Sequence, residues 1–137
     1  VPGSESRHNL LYWRGHDYAG IGAGAHSRIA QGGVKHALST LRLPEAWLEQ
    51  VEASGHGLAG DETLTTSETA EEYLLMALRL AEGMDTARFE ALGGAPLDGA
   101  LIDSFVAEGL LDSNGTRLTA TPSGRVVLER LILELAA

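Results

Sequence analysis

The chain has 137 residues, 44% of them hydrophobic, with 19 acidic against 10 basic side chains and a net charge of -9. That hydrophobic share supports a packed core and argues against global disorder, whereas the acidity makes the chain a poor candidate for binding driven by phosphate neutralisation, on nucleic acid or on an anionic membrane surface. The absence of cysteine excludes disulfides, zinc–thiolate sites and any iron–sulfur cluster held by this chain's own thiolates, and it fits a reducing compartment, the cytoplasm.

No apolar run reaches the roughly 20 residues of a membrane span, and no signal peptide is visible. The sequence opens at Val1 without Met, in a turn-rich stretch (Pro2, Gly3, Ser4), and reads as a piece of a longer protein. Leu10 to Trp13 is a short apolar-aromatic run; with His8 and Asn9 it makes a dense polar-aromatic cluster. Gly15, His16 and Asp17 predict a turn. Tyr18 to Ala25, with Gly20, Gly22 and Gly24 at alternate positions, predicts an extended strand. Glycine inside a strand costs entropy and packing, and it marks close approach by a ligand or another backbone. Such a run reads as one wall of a site whose other walls lie elsewhere. A flexible glycine connector is the plainer alternative, and spacing alone does not choose between them.

Gly32 and Gly33 break the chain, so residues 1–33 form an extended arm. Val34 to Ala53 predicts an interrupted helix, with Pro44 in a first-turn position and Trp47, Leu48 and Val51 at helical spacing. Ser54 to Gly60 is a loop, making residues 34–60 a helix and linker. Residues 61–137 differ in character. Thr65 and Glu68 form a capping-box pair. Ala70, Tyr73, Leu74, Ala77, Leu78 and Ala81 follow as one apolar helical stripe, and Gly83 is a stop. Thr86 to Leu92 and Leu97 to Glu108 predict two further helices. Leu110 to Thr119 predicts a hairpin around Asn114-Gly115, and Thr121-Pro122 starts a last helix burying Val127, Leu128, Leu131, Ile132 and Leu135. The fold class is mainly α (α+β), with a winged-helix-like domain over 61–137; a small helical bundle carrying a hairpin uses the same signals.

The helix that would read DNA in a winged-helix domain, Leu97 to Glu108, holds Asp98, Asp103 and Glu108 and no Lys or Arg. It suits a protein partner rather than bases and phosphates. Gly20 to Gly24 has G-x-G-x-G spacing without the capped helix of a dinucleotide loop. The five histidines show no i, i+4 pair for zinc. His8 is the most suggestive of them, because imidazole can ligate haem iron and aromatics such as Tyr12 and Trp13 can line a porphyrin pocket. The plainer alternative makes His8 a surface residue and Tyr12 and Trp13 core. No nucleophile elbow is present, and Glu68, Glu71 and Glu72 read as a solvated face.

His8-Asn9-Leu10-Leu11-Tyr12-Trp13 (HNxxYW) and Asp17 to Ser27 (DYAGIGAGAHS) resemble the end of the radical SAM barrel in the HemW-like and HemN family, the oxygen-independent coproporphyrinogen III oxidases and their haem-chaperone relatives. Glu71 to Asp85 (EEYLLMALRLAEGMD, containing E-x-x-x-x-x-L-R-L-x-E-G) and Leu110 to Ile132 are similar to that family's C-terminal domain. The resemblance implies that the whole protein binds S-adenosylmethionine and a [4Fe–4S] cluster through a C-x-x-x-C-x-x-C motif that this chain lacks, so the chain itself carries no radical chemistry. It implies haem contacts at His8, Asn9, Tyr12 and Trp13, with His8 as iron ligand. It further implies that Gly20, Gly22 and Gly24 face the barrel's cofactor cavity, and that the C-terminal domain helps shape a haem or porphyrin site. Implied partners are the barrel itself, haem or porphyrin, and a haem-accepting protein; no resident cofactor is expected in the chain alone. A truncated barrel would also leave the strand Tyr18 to Ala25 with an open edge able to pair with a second copy.

Overall fold

The computed structural model describes residues 7–137, with side chains from Asn9 onward; the turn-rich opening stretch lies outside the described residues. The described residues divide into two compact units, His16–Thr65 on one hand and residues 7–15 with 66–137 on the other. Strands pair across residues 33/34 and 60/61.

In the smaller unit, β1 (His26–Gln31), β2 (Val34–Thr40) and β3 (Leu58–Leu64) form an antiparallel sheet in the order β1-β2-β3. Between β1 and β2 stand only Gly32 and Gly33, with φ of 61° and 84°. Both values are left-handed, the requirement of a two-residue turn whose twist matches the flanking strands. The helix expected from Val34 is therefore corrected: its first seven residues are the central strand. The expected loop at 54–60 is corrected too, since Leu58 opens β3. α2 (Pro44–Ser54) does form, with Pro44 in its first turn and Gly55 closing it at φ 80°. Gln50 Nε2 donates to the Leu58 carbonyl at 2.7 Å, tying α2 to β3.

The strand expected over Tyr18 to Ala25 is also corrected. Only Tyr18 makes a ladder-type bridge, to Arg28, and the residues after it bend and turn. Beyond that bridge the segment forms no strand.

The larger unit holds the core. α1 (Arg7–Trp13) replaces the extended run expected there. α3 (Thr66–Ala77) buries Ala70, Tyr73, Leu74 and Ala77, as its period demands. Leu78 is buried just beyond the helix, whereas Ala81 is exposed. After β4 (Met84–Asp85) come α4 (Thr86–Ala91), α5 (Gly99–Ala107), β5 (Leu111–Ser113), β6 (Arg117–Ala120), α6 (Pro122–Val126) and α7 (Leu128–Leu135). The second sheet runs β4-β6-β5, all antiparallel. Asp85, Asp98 and Thr121 cap α4, α5 and α6 through their side-chain oxygens. Phe105, Leu74, Leu78, Met84, Leu111, Leu118 and Leu131 are fully buried between these elements. With two three-stranded sheets, the chain is a mixed α/β structure rather than a mainly helical one.

Candidate functional site

α1 carries four of the residues singled out in the sequence. It ends where Arg14 N–H donates to the Leu10 carbonyl at 3.0 Å and Gly15 N–H to the Tyr12 carbonyl at 2.9 Å, with Gly15 left-handed at φ 64°. The helix packs on α3, and a Cβ placed at Gly15 would stand 3.2 Å from Cδ2 of Tyr73. His8 lies in the first turn; its side chain lies outside the described residues. Asn9 is exposed, and Tyr12 and Trp13 are half-buried. Neither aromatic is among the buried core residues.

The glycine-rich segment lies in the other unit, and its own geometry accounts for each glycine. A Cβ at Gly20 would fall on the His26 carbonyl oxygen; Gly22 and Gly24 have φ of 94° and 69°. Thr40 secures the loop from β2. Its Oγ1 donates to the Gly22 carbonyl at 2.7 Å and accepts from Ala25 N–H at 2.8 Å, while Gly24 N–H donates to the Leu41 carbonyl at 2.7 Å. Gly20 N–H donates to Oγ of Ser27, a buried hydroxyl. The loop so held projects Ile21, 94% exposed, between its glycines.

Sequence reasoning missed Arg14 and Thr40. Arg14 follows the HNxxYW run directly, and its Nε and Nη2 donate to Oε1 and Oε2 of Glu82 at 2.8 and 2.9 Å. These two hydrogen bonds hold the Glu82 carboxyl below the ordinary glutamate range, against a smaller opposing effect of partial burial. Nothing in the local sequence around Arg14 signals a partner 68 positions away.

Among the described residues no group of three or more His, Asp or Glu side chains is arranged to hold a metal ion. His36 Nδ1 lies 2.8 Å from Asp61 Oδ1, an exposed pair on adjacent strands. The donor set therefore does not fit a chain-held iron–sulfur cluster, for which the sequence has no thiolate.

Residues 64–127 match the family model of the HemN C-terminal domain. This mixed α/β chain carries that domain, which HemN-like proteins combine with a radical SAM domain. Its relatives are the heme chaperones HemW and the radical SAM domain-containing proteins. It is 35% identical over 137 residues to the heme chaperone HemW of Mycobacterium tuberculosis, covering 98% of this chain and 32% of that protein. Against the heme chaperone HemW of Bacillus subtilis the identity is 29% over 134 residues, covering 91% and 33%. Against radical S-adenosyl methionine domain-containing protein 1, mitochondrial, of Danio rerio it is 40% over 89 residues, covering 62% and 20%. The fold is similar to that of coproporphyrinogen III oxidase (HemN) from Escherichia coli, described as a radical SAM enzyme, with a TM-score of 0.64 at 19% identity over 89% of this chain and 29% of that one. The chain thus spans about a third or less of the length of these proteins. No helix among the described residues is long and apolar enough to cross a membrane.

Proposed function

We propose that this chain is the C-terminal part of a haem chaperone of the HemW type, and that α1 supplies its haem contacts. His8 is the axial imidazole and Asn9, Tyr12 and Trp13 form the ring-facing neighbourhood. Haem is cargo here, not a resident cofactor, and it is passed on to an acceptor protein in the cytoplasm. The observation that carries the reading is the HNxxYW run folded as a short helix with its two aromatics outside the core. The identity to HemW proteins along nearly the whole chain supports it.

In the whole protein, residues up to Gly33 continue from the radical SAM barrel, and Gly20, Gly22 and Gly24 face its cofactor cavity. S-adenosylmethionine and the [4Fe–4S] cluster belong to that barrel. Two features of the smaller unit support docking there: none of its described hydrophobic side chains is buried, and Ile21 stands out in solvent. Residues 66–120 run helix, strand, helix, helix, strand, strand with sheet order β4-β6-β5, which supports a winged-helix-like reading of the HemN C-terminal domain. The acidic α5, capped by Asp98 and carrying Asp103, favours a protein or ligand partner over DNA.

Ferric haem titrated into the protein comprising this chain and its radical SAM domain is expected to give a saturable Soret shift, at least about tenfold weaker in His8→Ala. An unchanged spectrum and affinity in that variant would remove His8 from the site. The likeness to HemN favours a second reading, in which this domain is the lid of an oxygen-independent coproporphyrinogen III oxidase. Turnover of coproporphyrinogen III by the reconstituted protein would put the oxidase first.

A further inference from the structure

Three of the ten basic side chains of this acidic chain, Arg14, Arg88 and Arg117, line one cavity of about 240 Å³ in the larger unit. Only two carboxylates, Glu82 and Asp85, share it. Their pairing is uneven. Arg14 is paired with Glu82 through Nε and Nη2. Arg117 reaches Asp85 only at 3.9 Å and is held instead by the carbonyls of Glu82 and Gly83, at 3.3 and 3.4 Å. Arg88 makes no ion pair among the described residues; its guanidinium sits over the Tyr73 ring, 5.0 Å from the centroid.

Tyr73 is itself fixed. It is 5% exposed, and its hydroxyl accepts from the Asp85 N–H at 3.2 Å. A guanidinium resting on a buried aromatic face loses little freedom when its planar fork meets a carboxylate, the geometry for which Arg is suited. The cavity carries an excess of one positive charge, and below about 300 Å³ it is too small for a drug-sized ring system. It has room for a carboxylate on a short aliphatic stem. Arg14 directly follows Trp13, so the cavity begins where α1 ends.

We propose that this cavity is a carboxylate-binding site that takes a propionate arm of the tetrapyrrole, with Arg88 as the receiving fork and Arg117 beside it. The tetrapyrrole part of this assignment rests on the haem-contact reading of α1; the carboxylate part stands on the cavity alone.

Two measurements separate them. In the first, the arginine Nε–H signals of the 137-residue chain are followed by NMR as glutarate is added. Saturable shifts at Arg88 and Arg117 are expected, weakened about tenfold in Arg88→Gln, the loss of one charge-assisted contact, and unaltered in the charge-matched Arg130→Gln. In the second, ferric haem and its dimethyl ester are titrated into the protein that includes the radical SAM domain. The free acid is expected to bind about tenfold more tightly, and Arg88→Gln to abolish that difference. No glutarate response and equal affinities for acid and ester overturn the site, while loss of haem in His8→Ala leaves the α1 reading standing. A glutarate response with equal affinities for acid and ester overturns the propionate assignment and leaves a site for a free carboxylate. A glutarate response with no haem binding overturns the haem reading and keeps the carboxylate site.

Discussion

The Arg14–Glu82 pair joins the end of α1 to the turn between α3 and β4. Both side chains are about two-fifths exposed, so solvent screening keeps its energetic contribution small, and its role is to orient. Arg14 holds the Glu82 carboxyl below its ordinary range, first by hydrogen bonding and then by charge. The sign of the pH effect follows. A carboxylate with a lowered folded-state value contributes stability that is complete above the unfolded value and is lost as pH falls through the folded one. A carboxyl-detected NMR titration should therefore place the Glu82 midpoint below that of an unstructured glutamate, and Arg14→Gln should return it to the ordinary range. A normal midpoint in the unaltered chain would mean that the pair does not persist in solution.

At the scale of elements, the β1–β2 hairpin depends on two consecutive left-handed residues. That conformation costs alanine roughly 1–2 kcal/mol, and asparagine considerably less. Gly32→Ala and Gly33→Ala should each destabilise the hairpin by about that amount, read as faster amide exchange across β1 and β2, whereas Gly32→Asn should be close to neutral. Alanine variants with unchanged exchange would show that the register is set by the sheet and not by the turn. The same two glycines mark where the sequence misleads. Val34, Ala37 and Leu38 fall at i, i+3 and i+4, a helical spacing that a half-exposed strand happens to satisfy. The Gly-Gly pair between two runs of strand-forming length is the stronger signal. At 20–24 the sequence misleads in the opposite direction: alternating glycines mimic a strand's period, yet two of them exist to turn the backbone.

Across the whole molecule, legibility follows burial. Every buried hydrophobic side chain among the described residues lies in 66–137. There, period and caps mark α3, the Asn114-Gly115 hairpin and the Thr121-Pro122 helix start in the amino-acid sequence itself. In 16–65 the sheet buries no hydrophobic side chain, so the sequence there carries no alternation of apolar and polar residues to read. The HNxxYW residues are legible as a motif but not as a helix, because seven residues containing four consecutive apolar or aromatic ones show no period. The arginine cavity is illegible, since its three guanidiniums are scattered along the chain and meet only through folding. The central claim, that α1 is the haem-contacting element, is tested most directly by amide hydrogen exchange on the protein containing this chain and its radical SAM domain, with and without saturating haem. Slower exchange confined largely to α1, with α7 unaffected, is the predicted result. Unchanged exchange in α1, with protection appearing elsewhere, would contradict it.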